Sequence, residues 1–172
     1  LHVIDQESHR LTALTDKVSD FLRNPVGNPE PVEIRSLIES LSQRFETPLT
    51  IVSTSLEKAY ISIDPYRARS IFENLIKNGI ESRDDGEGEV SVEIVRGKKR
   101  TCHIFIRDNG DGIDAKNLEK IFDPFFTTKV HGSGIGLAIS RQFVRARSGD
   151  LKIYNNEFGG ATVEVILPLA HT

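Results

Sequence analysis

One stretch of the sequence, Asp108-Asn109-Gly110-Asp111-Gly112-Ile113, comes directly after residues 101–107, whose apolar and polar side chains alternate. Such alternation predicts a β-strand, so a carboxylate stands where a strand gives way to a turn. An aspartate in that position can accept a hydrogen bond from a flat donor such as an exocyclic amine, and the glycines let the backbone approach a ligand closely. The same composition is typical of an ordinary turn, so its meaning depends on the segments around it.

The composition is that of a globular domain. The chain has 172 residues, of which 38% are hydrophobic and 27% charged, which excludes a disordered chain and allows one domain with a real core. The net charge of −3 disfavours nucleic acid as a partner, because binding to phosphates needs a basic surface. The single cysteine, Cys102, lies mid-strand, and we expect a buried small hydrophobe rather than a nucleophile.

The sequence also bears on location. No apolar run approaches the length of a membrane span, and no signal peptide is visible. The chain begins with Leu1 rather than Met, which predicts a piece of a longer protein. A single cysteine fits a reducing compartment. We therefore expect this domain to be cytoplasmic, while the parent protein can still carry a membrane anchor.

Residues 1–23 show a heptad pattern. Ile4, Leu11 and Val18 repeat every seven residues, and Leu14 and Phe21 follow the last two after three. The pattern predicts a helix that packs against helices of a partner chain, since two or three heptads are marginal alone. A helix packed on its own domain is the alternative interpretation.

The heptad pattern ends at a predicted linker, residues 24–31, which contains three prolines and one glycine. Residues 32–169 are predicted to form one folded domain. Its predicted elements are a helix from Val32 to near Pro48, strands at 49–52 and 59–63 joined by a polar turn, a helix at 64–83 opened by Asp64-Pro65, a strand at 90–95, a hairpin turn at 97–100, the strand ending at Asp108, a helix at 135–147, and strands at 150–155 and 161–168. Adjacent strand pairs predict a mixed sheet with helices on one face, an α+β two-layer sandwich preceded by the N-terminal helix.

The helix at 64–83 carries Asn74 and Asn78, which are four residues apart and so share a face. Asparagine is unfavourable inside a helix because its amide competes with the backbone, so two of them on one face need a reason. One reason is a polar wall whose amide oxygens face a hard cation that bridges phosphate oxygens. The other interpretation is a pair of solvated or locally bonded amides.

Gly132-Ser133-Gly134-Ile135-Gly136-Leu137 opens the predicted helix at 135–147. Free backbone N–H groups and the positive end of the helix dipole suit a phosphate. The segment does not follow a strand and lacks a Gly-Lys-Ser/Thr ending, which argues against both a dinucleotide fingerprint and a P-loop. It is therefore a phosphate cradle of another type or a flexible hinge.

Residues 122–129 precede these glycines. Phe125 and Phe126 would be costly if exposed, so we expect them to dock when the loop closes, and Lys129 is placed to supply positive charge to a terminal phosphate. The alternative is a loop whose phenylalanines belong to the core.

The four motifs occur in a defined order: Asn74…Asn78, Asp108-x-Gly-x-Gly, Phe-Asp-Pro-Phe-Phe and Gly-x-Gly-x-Gly-Leu. Together, over residues 31–168, they resemble the ATP-binding domain of sensor histidine kinases, in the superfamily that includes gyrase B, Hsp90 and MutL. Phe-Phe-Thr-Thr-Lys is most similar to the nitrogen-regulatory type, and residues 1–23 resemble the second helix of the family's dimerisation and phosphoacceptor hairpin. The resemblance implies the Bergerat-type ATP-binding fold, with residues 121–133 as a mobile lid.

The resemblance implies roles for single residues. Asp108 binds the adenine amino group, Gly110 and Gly112 let the loop wrap the base, and Asn78 ligates Mg²⁺. Asn74 lines the same site, and it and Lys129 are the candidate catalytic residues. The other nucleotide-binding positions that it implies are Ile113, Phe122, Lys129, Gly132, Gly134, Ile135, Gly136, Leu137 and, near the adenine, Thr162.

The implied activity is that of a two-component sensor kinase. The γ-phosphoryl group of ATP passes to a histidine on an upstream helix, then to an aspartate in the receiver domain of a response regulator, and the N-terminal helix pairs with a second protomer. The chain lacks the family's His-Glu/Asp-x-x-x-Pro pattern, and His9 does not supply it. Gly79 also departs from the family, which usually has alanine there; the change predicts a helix weaker by about 1 kcal/mol.

Three other functions remain open. An ATPase clamp of the gyrase or Hsp90 sort carries a glutamate four residues before the Mg²⁺ asparagine; here that position is Asn74, and Glu73 points about 100° away around the helix. The dimerisation-type helix argues against a serine kinase or anti-sigma factor of the same fold. The complete set of motifs argues, more weakly, against a nucleotide sensor without activity.

Overall fold

The structure is a computed structural model, and it describes residues 26–45, 49–53, 58–83, 88–129 and 132–170, together with positions 8, 12, 15, 16, 18, 19, 23 and 24. The described positions between 8 and 23 are helical, as predicted. Of the five residues that define the heptad pattern only Val18 is described, and it is half-buried. The rest of that pattern, and with it the predicted packing, lies outside the described residues.

The domain contains seven strands and four helices within the described ranges. In chain order they are β1 (Glu30–Glu33), α1 (Ile34–Ser42), β2 (Leu49–Ser53), β3 (Tyr60–Ile63), α2 (Pro65–Ile80), β4 (Val90–Arg96), β5 (Thr101–Asp108), α3 (Ala115–Leu118), α4 (Gly136–Arg145), β6 (Asp150–Asn155) and β7 (Ala161–Pro168). A single 3₁₀ turn, Lys98–Arg100, joins β4 to β5 at the predicted hairpin.

Five strands form one twisted layer in the order β2-β4-β5-β7-β6. The β2–β4 pair is parallel and the other three pairs are antiparallel. Helices cover one face of the sheet, while the other carries polar pairs such as His103 Nδ1 to Glu164 Oε1 and Arg107 to Glu93 Oε2, both at 2.7 Å. The predicted mixed sheet and two-layer α+β sandwich are confirmed.

Two predictions about the first part of the domain were wrong. Residues 30–33, predicted to end the linker and open a helix, form β1, which pairs antiparallel with β3 in a separate two-stranded sheet. The predicted neighbours 49–52 and 59–63 do not pair with each other, since β2 joins β4 instead. Both errors have one cause: a short strand is stabilised by a partner distant in the chain, which local periodicity does not reveal.

The core lies between the helices and the five-stranded sheet. Its largest fully buried side chains come from the helices, from β3 and from the five-stranded sheet: Phe72, Ile34, Ile38, Leu41, Ile61, Ile63, Ile71, Leu75, Ile76, Ile94, Ile104 and Ile106. Cys102 is fully buried among them, and burial raises the pKa of its thiol to about 12. The thiol is therefore protonated at neutral pH, which agrees with a packing role rather than a nucleophilic one.

Both long N-terminal helices of the domain begin at a capping carboxylate. Glu33 accepts hydrogen bonds from Arg35 N and Ser36 N at the start of α1. Asp64 Oδ1 accepts from Arg67 N (3.1 Å) at the start of α2, which has Pro65 in its first turn as predicted. The other oxygen of Asp64 accepts from Asn28 N in the linker at 2.9 Å. One side chain therefore caps α2 and holds the linker.

Candidate functional site

Asp108 ends β5 on the helix-covered side of the sheet. Its Oδ1 accepts two backbone hydrogen bonds, from Gly110 N (2.9 Å) and Ala161 N (3.0 Å). Among the described residues no donor bonds the second oxygen, Oδ2, and the side chain is half-buried. The carboxylate is thus held in a fixed orientation with one oxygen left to accept a hydrogen bond from a ligand.

The loop after Asp108 is braced by the turn between β6 and β7. The amide of Asn155 accepts from Ile113 N (2.7 Å) and donates to Ile113 O (2.8 Å). Asn156 Nδ2 donates to Asp108 O and Ala161 O. A Cβ at Gly160 would overlap Asp108 O, so only glycine allows this approach.

Thr162, which is predicted to lie near the adenine, lies on the face of the sheet opposite the side chain of Asp108. It pairs with Arg107 across the β5–β7 ladder, and residues directly opposite in an antiparallel pair point to the same face. Asp108 points to the other face, because successive side chains of a strand alternate. Ala161, one residue earlier, is the one that contacts the carboxylate.

The C-terminal half of α2 runs past this loop. A Cβ at Gly79 would lie 2.9 Å from Val90 Cγ2 and 3.5 Å from Asp108 Cβ, so the expected alanine would crowd β4. One turn further, the Ser82 side chain lies so close to Gly110 that no Cβ fits there. Glycine at position 79 therefore allows α2 to pack tightly beside Asp108. This packing accompanies the lower helix propensity of glycine.

The other end of the same helix face meets the start of α4. Asn74 Nδ2 donates to Ser140 Oγ (3.4 Å), and its Oδ1 lies where a Cβ of Gly136 would be. Asn74 thus holds the first turn of α4 against α2. Asn78 lies one turn closer to Asp108, half-buried. The Asn74–Asn78 face therefore extends from α4 towards the Asp108 loop.

The glycine-rich segment supports the start of α4. Ile135 is the N-cap residue, 5% exposed, and Leu137 packs against the core. Gly134, at a φ of +67°, accepts a hydrogen bond from Phe125 N at 2.9 Å. Gly132 donates to Lys129 O. Gly136, the first residue of α4, lies beside the Asn74 side chain, and no side chain caps the helix, so its first N–H groups are available to an anion.

The segment predicted as a lid contacts α4 through Phe122. Arg141 lies over the ring of Phe122 at 4.1 Å from its centroid, and Phe122 packs against the core. Phe125 is 71% exposed with a φ of 69°, an uncommon conformation for an aromatic residue, and Phe126 is half-buried. Docking of Phe125 on closure remains a prediction.

Lys129 lies at the end of this segment and contacts α2. Its Nζ is 2.9 Å from Glu81 Oε2, and Glu81 Oε1 is 3.7 Å from Lys77 Nζ. Glu73, the acid nearest to Asn74 in sequence, points elsewhere and pairs with Arg44 at 3.5 Å. No acid therefore occupies the position of the clamp ATPase base.

A cavity of about 400 Å³ lies at the far end of β7, away from Asp108. Its charged side chain, Arg147, donates to Ser62 O (2.8 Å) and Ser62 Oγ (3.3 Å), which ties the turn after α4 to β3. The cavity contains no residue of the four motifs, and its guanidinium already has protein partners. It belongs to the scaffold rather than to the site.

The family described as "Histidine kinase-, DNA gyrase B-, and HSP90-like ATPase" matches residues 63–171. That match covers more than half of the chain. The chain belongs to this family. The matched part of the ATPase domain contains α2, the Asp108 loop, the lid segment and α4.

The ATPase domain also resembles named proteins. Sporulation kinase A of Bacillus subtilis (strain 168) is 32% identical over 145 residues, which are 81% of this chain and 24% of that protein. The signal transduction histidine-protein kinase AtoS of Escherichia coli (strain K12) is 28% identical over 175 residues, 98% of this chain and 29% of AtoS. The chain therefore spans about a quarter to a third of the length of these curated relatives.

Solved structures agree on the fold. The catalytic domain of histidine kinase ThkA has a TM-score of 0.70 and 26% identity, over 81% of this chain and 95% of that one. Full-length ShkA in complex with AMPPNP has a TM-score of 0.81 and 21% identity, over 99% of this chain and 38% of that one. No helix in the described part of this chain is long and apolar enough to cross a membrane.

Sequence reasoning missed several residues of the site. Asn155 was included only as the end of a strand, Asn156 was not assigned, and Glu81 and Ser82 were included only as the end of a helix. Paired asparagines just before Gly159-Gly160, in a strand that returns towards Asp108, were the available signal. The sequence also contains a signal for Glu81, because it lies seven residues after Asn74 and so shares its helix face.

Proposed function

We propose that this domain binds ATP and supplies its γ-phosphoryl group to a histidine of a sensor histidine kinase. Its family is that of histidine kinase-like ATPases, and the relatives named above are kinases. The single observation that carries the proposal is the orientation of Asp108. Its Oδ1 accepts hydrogen bonds from the backbone N–H groups of Gly110 and Ala161, and its Oδ2 accepts none from the described residues. An adenine amino group is a donor that fits that oxygen.

Phosphate recognition is the role we assign to the part of the site where α2 meets the start of α4. The first turn of α4 offers backbone N–H groups, and Lys129 offers a positive charge. In the described residues no group of three or more His, Cys, Asp or Glu side chains could hold a metal ion. Mg²⁺ would rely on the amide oxygen of Asn78 together with phosphate oxygens, a hard-donor set that suits this ion. Bound there, it would neutralise charge on the transferring phosphoryl group.

The chain's own residues perform positioning and charge neutralisation. Asp108 fixes the base, Asn74 keeps α4 in place, and Lys129 stabilises the phosphate charge. The incoming histidine nitrogen forms the new bond to the γ-phosphorus as the bond to ADP breaks. No glutamate four residues before Asn78 is present to activate water, which favours transfer to a histidine over clamp-type hydrolysis.

The partners proposed for the parent protein follow from the same assignment. A solved structure of ThkA with the response regulator TrrA has a TM-score of 0.78 and 22% identity to this chain. We assign a receiver domain as the final phosphoryl acceptor here too. A second protomer would pair through residues 1–23. An ATP substrate and a buried cysteine support a cytoplasmic location.

The test begins with nucleotide binding by the chain. Asp108→Asn should weaken ATP, ADP and adenosine binding alike, by about 1.5–3 kcal/mol, the range for a hydrogen bond to a charged group. Calorimetric titration measures it, and unchanged affinity would remove the assigned role. A chain extended upstream, incubated with γ-labelled ATP, should then be labelled on a histidine outside residues 1–172. Multiple-turnover hydrolysis by the present chain alone would favour the clamp instead.

A further inference from the structure

Glu81 lies at the end of α2 on the face that carries the two asparagines. It follows Asn74 by seven residues and Asn78 by three, and such spacings share one side of a helix. The function proposed above gives this carboxylate no task. A negative charge on that face would repel the phosphate groups that the face is proposed to bind.

Two lysines neutralise the carboxylate. Lys129 Nζ is 2.9 Å from Oε2, and Lys77 Nζ is 3.7 Å from Oε1. Lys77 belongs to the same helix as Glu81, but Lys129 comes from the lid segment, 48 residues further along the chain. Lys129 is also fixed through its backbone, since its N–H donates to Thr127 Oγ1 (3.0 Å) and its carbonyl accepts from Gly132 N (3.1 Å). The ion pair therefore ties Lys129 of the lid segment to the end of α2.

We propose that Glu81 is a specificity-determining residue that competes with nucleotide phosphates for Lys129. The proposal rests on the assignment of Lys129 to phosphate binding. A ligand gains Lys129 only if it brings enough negative charge to replace the carboxylate. ATP does so best, ADP less well, and adenosine not at all. Glu81 thus lowers the affinity for ATP more than that for ADP and leaves that for adenosine unchanged, which narrows the difference among the three ligands.

The expected change in ATP affinity follows from the solvent exposure of the Lys129 and Glu81 side chains. The Lys129 and Glu81 side chains are 37% and 42% exposed, so water screens the pair and its loss changes stability little. Replacing the carboxylate by an amide frees Lys129 and removes a repulsion, and both changes favour a bound triphosphate. We expect Glu81→Gln to tighten ATP binding roughly two- to fivefold, a change typical of a partly exposed charge pair.

The experiment titrates ATP, ADP and adenosine into the full chain and its Glu81→Gln variant by calorimetry. ATP should gain most, ADP less, and adenosine should not change. Glu39→Gln is the matched control, because it removes the same charge from an ion pair on α1, 3.9 Å from Arg35, and should leave all three affinities unchanged. Thermal unfolding of each variant shows that the fold is retained.

A double-mutant cycle decides whether Lys129 is the group in competition. If it is, most of the ATP gain of Glu81→Gln disappears in a Lys129→Gln background. The proposal is overturned if the gain persists undiminished there, if Glu81→Gln weakens ATP binding, or if adenosine changes equally. Failure of the proposed function has a different signature: the wild-type chain binds neither ATP nor adenosine, or Asp108→Asn has no effect on either.

Discussion

Asn155 is the residue through which the β6–β7 turn controls the Asp108 loop. It uses both ends of its amide on the backbone of one residue, Ile113, 42 positions away in sequence. Together with the Asn156 contact to Asp108 O, it closes the loop into a rigid unit. A loop held in this way needs no reordering when a base binds, and such preorganisation raises affinity.

Asn155→Ala should weaken binding of ATP, ADP and adenosine to the same extent. Two partly solvated hydrogen bonds are lost, and we expect a cost of about 1 kcal/mol in affinity because water replaces part of each. Calorimetry with the three ligands measures it. Asn155→Asp keeps the acceptor for Ile113 N but loses the donor to Ile113 O. Its affinity should therefore fall between those of the wild type and Asn155→Ala. An effect on ATP without one on adenosine would contradict the assigned position.

At the scale of elements, α1 and α2 are each capped at the N-terminus by one carboxylate. Burial acts to raise the pKa of Asp64, but hydrogen bonds from Asn28 N and Arg67 N and the charge of Arg67 outweigh it, so the pKa lies below the ordinary value of 3.8. In Glu33 burial is likewise outweighed, by hydrogen bonds from Ser36 and Arg35, and its pKa lies below 4.5. Both caps are therefore charged throughout the neutral range.

A depressed pKa contributes stability that is complete above the ordinary value and is lost as the pH falls through the folded-state pKa. Asp64→Ala should therefore cost about 0.5–2 kcal/mol of unfolding free energy near pH 7, as for other N-caps, and progressively less below pH 3.8. Denaturant unfolding at several pH values measures this difference. Asp64→Ser retains a cap that does not titrate, so its stability should not show the same acid-dependent loss. A wild-type-to-alanine difference that is constant with pH would show that the charge is not involved.

The elements differ in how far the sequence predicts them. The α2 helix has its own start signal in Asp64-Pro65 and a complete apolar face. In β4 and β5 apolar and polar residues alternate on either side of a turn. The local sequence is therefore enough to predict these three elements. β1 forms only because β3 lies beside it, and Pro31 within it reads as a linker residue. The site divides in the same way. Its motifs are contiguous and predictable, whereas Ala161, Asn155 and Glu81 contribute through contacts 42 to 53 residues apart.

At the scale of the whole molecule, α2 joins the two ends of the site and the linker. Asn28 bonds its N-terminal cap, Asn74 bonds α4 in its middle, and Gly79 and Ser82 pack beside the Asp108 loop. Within the described residues, the linker therefore contacts α2 directly at Asp64.

Removal of residues 1–23 should separate nucleotide binding from self-association. Every residue of the buried core among the described residues lies at or after Ile34, so the shortened domain should keep its unfolding free energy to within about 1 kcal/mol. Its ATP affinity should not change, since both ends of the site are retained. Light scattering should show that self-association, proposed to run through the heptad pattern, is lost.

The same deletion distinguishes the two interpretations of the heptad pattern. A helix that pairs with a second protomer leaves a stable, nucleotide-binding monomer when it is removed. A helix that packs on its own domain protects apolar surface there, and burial of apolar surface stabilises by about 25 cal/mol per Å². Its removal would then lower the melting temperature at every protein concentration. Dilution provides the control, because only dimer pairing makes the melting temperature of the undeleted chain depend on concentration.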